Sequence, residues 1–135
     1  MIDLTAYRPT FLGILRIIAG LLFMQHGVQK LFGWLGGTQM ELLSLMGLAG
    51  ILETFGGLLI VVGLFTRPVA IVLVLEMLYA YFMVHLPQGF WPIQNGGELA
   101  ALYAVIFLYL AAAGPGRFSI DATRDRAAAA PPPPA

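Results

Sequence analysis

Residues 11–37 read FLGILRIIAGLLFMQHGVQKLFGWLGG. The first half is apolar apart from Arg16, and no turn signal separates it from the polar side chains Gln25, His26, Gln29 and Lys30. About 20 apolar residues in a helix cross the hydrocarbon of a bilayer. The run from Thr10 to Phe32 meets that length, with Pro9 suited to a first helical turn. It has no small-residue cleavage site and ends on Lys30 and bulky aromatics, unlike a cleavable signal. The stretch therefore reads as one membrane helix whose far end carries a polar arc.

The rest of the chain agrees with that solvent. Its 135 residues are 59% hydrophobic and 10% charged, against about 25% charged in a soluble domain. Mean hydropathy is +0.86. Seven basic and seven acidic residues leave no broad basic surface, so nucleic acid is not an expected partner. The absence of cysteine removes disulfides, thiolate metal sites and dithiol redox chemistry from this chain.

Three more apolar runs follow, at about 47–65, 68–86 and 97–113, the last closed by Gly114-Pro115-Gly116. The expected fold is an all-α four-transmembrane-helix bundle over residues 1–122. Residues 123–135, ending AAAAPPPPA, read as a low-complexity, disordered or extended cytoplasmic tail. With four spans, Arg8, Arg67, Arg117, Arg124 and Arg126 fall on one side and only Lys30 on the other. The positive-inside rule then places both termini in the cytoplasm of a multi-pass inner-membrane protein. Tyr7, Trp34 and Trp91 fall at the expected interfaces. Gly13, Gly20 and Gly27 recur every seven residues, as do Gly50 and Gly57, which predicts close helix packing at small residues. A short echo, Phe23-Met24-Gln25-His26 against Phe82-Met83-Val84-His85, hints at two related hairpins.

Charged side chains within a bilayer are costly and normally face the bundle interior with a partner. Counting about 1.5 Å per residue from the arginine-rich end puts Arg16 about 10 Å deep and Glu76 about 12 Å deep, which predicts an ion pair between them. The same count puts His26 and His85 about 25 Å deep, Glu98 about 22 Å and Glu53 about 20 Å. Gln25, His26, Gln29 and Lys30 should then turn toward Glu53 and Glu98, leaving Met24, Val28 and Leu31 for lipid; Lys30 has the alternative of snorkelling to the interface. Three roles fit this layer. It is a closed hydrogen-bonded network, or a pocket for a quinone-type or other small ligand, or a metal or haem site. Two isolated histidines without a supporting motif make the last the weakest, so neither metal nor haem is expected.

The order Arg16…His26-Gly27…Lys30-Leu31, Glu53…Gly57…Gly63…Thr66-Arg67, Asn95-Gly96-Gly97-Glu98 and Gly114-Pro115-Gly116-Arg117…Ser119…Asp121 resembles the DoxX family over about residues 8–122. The resemblance implies a small four-helix inner-membrane protein. It also implies recurring polar positions at Arg16, His26, Lys30, Glu53, Asn95 and Glu98, to which depth adds His85. Relatives include a subunit of a thiosulfate:quinone oxidoreductase and a membrane partner of soluble redox and sulfur-transfer enzymes. The expectation is a membrane subunit or anchor of a redox assembly, with lipid and redox proteins as partners, an oligomer compatible with it, no covalent cofactor, and quinone as the ligand class. A non-catalytic accessory subunit and a small transporter-like protein are the competing readings.

Overall fold

In the computed structural model, residues 3–129 are described, and among them the secondary structure is entirely helical. Helix α1 runs Arg8–Phe32, α2 Leu45–Val62 and α3 Thr66–Gln88. All three are long and apolar enough to cross a membrane. Helix α4, Glu98–Ala113, is also apolar but has only 16 residues. Helix α5 is Ile120–Ala128. The tail expected to be disordered or extended from residue 123 is thus helical as far as Ala128. Ser119 explains the correction, since its side chain accepts from the Ala122 amide and caps the new helix. The Pro-rich end of that tail lies outside the described residues.

The apolar runs become two hairpins, α1 against α2 and α3 against α4, around one core. Phe23 of α1 meets Tyr103 and Phe107 of α4 edge-on, with ring centroids 5.0 and 4.8 Å apart. Ile60, Ala70, Leu73, Met77, Ala100, Ala104 and Leu110 complete the buried cluster. Between α1 and α2 the glycines set the distance. A Cβ at Gly20 would meet the Gly57 carbonyl and Ile60, one at Gly27 would meet Thr54, and one at Gly57 would meet Met24. That stripe also corrects the expected lipid face. Met24 packs on Gly57, Leu31 is buried, and Gln25 is exposed. Close backbone approach at the glycines, not the polarity of the arc, decides which face of α1 turns inward.

Two arginines close the hairpins at one end. Helix α2 stops at Gly63, whose φ of 67° and tight neighbours Ser119 and Arg16 leave no room for a side chain. Arg16, fully buried, donates from Nε to Pro115 O (2.7 Å), from Nη1 to Ile60 O (2.6 Å) and to Val61 O, and from Nη2 to Phe118 O (2.7 Å) and Arg117 O (3.1 Å). Arg67, near the start of α3, likewise donates to Ala111 O (2.8 Å) and Ala112 O (2.6 Å) at the end of α4. The last carbonyls of a helix have no intrahelical donor and carry the negative end of its dipole, so a guanidinium suits them. The expected Arg16–Glu76 ion pair is therefore not formed, because backbone carbonyls use every donor Arg16 has.

Asp121 fastens α5 to the same end. Its carboxylate accepts from the amides of Phe65 (3.0 Å) and Thr66 (2.8 Å), and its own amide donates to Gly63 O (2.9 Å). Arg124 lies over the Phe65 ring, 5.4 Å from its centroid. Burial pushes the Asp121 carboxyl up, but the Thr66 and Phe65 hydrogen bonds and nearby Arg124 hold it net below its ordinary value of 3.8. A depressed carboxyl contributes stability that is present above the unfolded value and lost as pH falls through the folded one. Acidification below about pH 4 should therefore speed hydrogen exchange at the Phe65 and Thr66 amides. Asp121→Asn should exchange fast at every pH. The effect should stay under about 1 kcal/mol for so accessible a group, and a pH-independent wild type would refute it.

Candidate functional site

The middle of α2 and the last turns of α3 both leave α-helical geometry. Residues Leu52–Gly56 and Ala80–His85 are π-helical. Such wide turns shift the side-chain register and are frequent at functional sites. Here they carry Glu53 and His85 to the walls of one cleft between α2 and α3, with a volume of about 390 Å³. Lys30, Glu53, Glu76 and His85 are its ionisable lining; Leu48, Leu52, Leu75, Met77 and Tyr79 supply much of the apolar wall. Leu48, Val72, Leu75 and Tyr79 are exposed, so the cleft opens sideways, toward the surface that apolar helices give to lipid.

Within it, Lys30 Nζ lies 2.5 Å from Glu53 Oε1. This ion pair settles the alternatives for Lys30 in favour of the inward one. Glu53 Oε2 and both carboxylate oxygens of Glu76 are buried without any hydrogen-bond partner. Glu53 and Lys30 are the charged neighbours of Glu76. Buried acceptors almost always find donors, so three unpaired oxygens in one cleft call for a physical reason. A larger recess of about 780 Å³ at the amino-terminal end, between Asp3, Arg8, Leu15 and Tyr109, has no such feature.

The remaining expected residues take other places. His26 stands edge-on to Tyr103, ring centroids 6.2 Å apart. His85 Nδ1 lies 3.1 Å from Asn95 O. Asn95 is buried as a loop clamp, its amide donating to Gly89 O (2.8 Å) and its Oδ1 accepting from Gly97 N (2.7 Å). That arrangement uses both ends of its side chain. Glu98 is exposed in the first turn of α4 and does not join the polar layer, which corrects its expected place facing the arc of α1. An acid there instead complements the positive end of the α4 dipole. Among the described residues no group of three metal-ligating side chains comes together.

The DoxX family model matches residues 11–86, more than half of the chain. The chain belongs to the DoxX family. An uncharacterized protein of Haemophilus influenzae is 41% identical over 128 residues, covering 90% of this chain and 96% of that one. An uncharacterized membrane protein of Mycobacterium tuberculosis is 30% identical, over 87% and 83% of the two chains. The inner membrane protein YphA of Escherichia coli is 31% identical, over 88% and 94%. No solved structure matches. This DoxX protein is accordingly a multi-pass protein of the inner membrane.

Of the expected site residues, the DoxX chain thus brings Lys30, Glu53 and His85 to one cleft, sets His26 against Tyr103 of α4, and uses Arg16 and Asn95 to hold backbone. Glu76 was expected beside Arg16, in an ion pair or a proton or ligand site with it, and not in one layer with Lys30, Glu53 and His85. The signal that points to a site for it is its isolation as the sole charged residue of the 68–86 run.

Proposed function

We infer that this DoxX protein is a membrane subunit of a redox-type assembly that binds a small amphiphilic ligand, of the quinone and quinol class, in the cleft between α2 and α3. The observation that carries the reading is the set of three buried, unpartnered carboxylate oxygens in an apolar cavity of about 390 Å³, a size suited to a small ligand. Lys30 and His85 offer polar contacts to a ring oxygen, and Glu53 and Glu76 are proton partners within the same walls. With no cysteine in the chain, electron transfer would run between the ligand and a cofactor on a partner protein.

The topology that serves this role has four spans, with α4 crossing as a short helix and both termini in the cytoplasm. Its support is electrostatic. Arg8, Arg67, Arg117, Arg124 and Arg126 belong to one end of the bundle, where Arg117 N donates to Pro9 O and Arg124 covers Phe65. The cleft then lies in the outer half of the bilayer.

A second reading, an accessory subunit without chemistry of its own, draws on Arg16, Arg67 and Asn95, whose polar groups serve only to tie the backbone together. A transporter-like path has less support, because Arg16 is fully enclosed and fully bonded at the arginine-rich end. Purification in mild detergent, followed by an optical spectrum and quinone extraction, separates the readings. The pocket reading expects co-purifying quinone or quinol that falls several-fold in Leu48→Trp, which fills the rim of the cleft, at unchanged protein yield. Equal quinone in both proteins, or none in either, would leave the accessory reading standing.

A further inference from the structure

The polarity of the cleft restricts what it can hold. Its buried hydrogen-bonding atoms without any partner are all acceptors: Glu53 Oε2, Glu76 Oε1 and Glu76 Oε2. One N–H of the Lys30 ammonium goes to Glu53 Oε1 and His85 Nδ1 faces the Asn95 carbonyl, and neither side chain reaches the three open oxygens. One ammonium against two carboxylates also leaves the lining net negative. A proton on Glu76 would cancel that charge and turn one of its oxygens into a donor, yet its carbonyl oxygen would still lack one. Burying an unmet acceptor is costly, and the penalty is largest where no water can reach. A head group that only accepts hydrogen bonds, such as a quinone ring with its two carbonyls, leaves these atoms unmet. One that donates meets them.

We propose that the cleft selects amphiphiles whose head group donates two or more hydrogen bonds and carries no negative charge, with the apolar tail lying along Leu48, Val72 and Leu75. Hydroquinones and protonated long-chain amines share this chemistry. Hydroxyl donors satisfy two of the three oxygens, and an ammonium can satisfy all three while neutralising the lining. The tail path follows from the exposed apolar rim, which lets a ligand arrive from the lipid instead of from water. The inference rests on the cleft being a ligand site, and it assigns the redox state or charge class of the occupant.

The test uses the full chain in zwitterionic nanodiscs and four probes with the same ten-carbon tail. They are a decyl hydroquinone, decylammonium, the corresponding decyl quinone and decanoate. Either donor-headed probe should bind about tenfold or more tightly than the quinone, the yield of one or more extra hydrogen bonds to charged acceptors. Decanoate should bind weakest. Glu76→Gln brings its own amide donors and should erase the preference. Leu48→Trp, which fills the rim and spares both carboxylates, should block all four probes. The order of the two donor-headed probes identifies the source: tighter decylammonium marks an amine site and tighter hydroquinone a quinol site. A quinone or decanoate that binds as well as the donor-headed probes overturns the inference while the pocket stands. So does a preference that survives Glu76→Gln. Failure of every probe overturns the pocket reading along with it.

Discussion

Replacing Arg16 by Met should be the most damaging single change in the chain, lowering stability by about 3–5 kcal/mol. The estimate follows from what the guanidinium holds. Its nitrogens satisfy carbonyls of Ile60 and Val61 at the end of α2 and of Pro115, Arg117 and Phe118 in the loop between α4 and α5. A buried carboxylate that loses its partner can take up a proton, but a carbonyl has no such escape. With Met in place, these acceptors would sit in a site from which water is excluded. Arg16→Lys keeps the charge but offers three donors on a flexible stem where five were fixed in a plane, so it should recover only part of the loss. Thermal unfolding in detergent measures the global effect. Hydrogen exchange across residues 114–119 shows where it starts, since Gly13 and Gly116 pack against each other beside that loop. A Met variant within about 1 kcal/mol of the wild type would show that the carbonyls find other donors.

The contrast between Arg16 and the helices around it shows which parts of the molecule were legible beforehand. The apolar runs of residues 10–32, 47–65, 68–86 and 97–113 appear as helices with ends shifted by a few residues, because helix length in a bilayer is a one-dimensional property of the chain. The glycine spacing likewise anticipated the α1–α2 contact, since backbone approach depends on where side chains are missing. Partners across the bundle were another matter. Depth alone made Glu76 the natural mate for Arg16, yet depth says nothing about azimuth, and it ignores carbonyls, which every residue carries. The same blindness misplaced Leu31 and Gln25 on α1, and it put Glu98 inside when that residue faces outward. The π-helical turns at Leu52–Gly56 and Ala80–His85 rotate the walls of the cleft, and no composition signal announces them. What could have been read is the Ser119-to-Asp121 capping signal, which starts a helix inside the stretch taken for a tail.

Lys30→Met should cost about 3 kcal/mol, and the double variant Lys30→Met/Glu53→Gln should recover most of that loss. The asymmetry between the two partners makes the cycle informative. The Glu53 side chain is 5% exposed and the Lys30 side chain 21% exposed. Without Lys30, Glu53 is left deep in the wall with both oxygens unmet, because Oε2 has no partner even in the intact protein. Without the Glu53 charge, Lys30 lies within three residues of the end of α1 and can extend its stem toward the interface, so Glu53→Gln alone should cost only about 1 kcal/mol. Thermal midpoints of the wild type, both single variants and the double variant give the coupling directly, expected at about 2.5–3 kcal/mol. Purely additive single effects would mean that the pair contributes position and not stability. Lys30 would then serve mainly to hold one Glu53 oxygen aside while the other faces the cleft, and its removal should alter ligand selectivity more than folding.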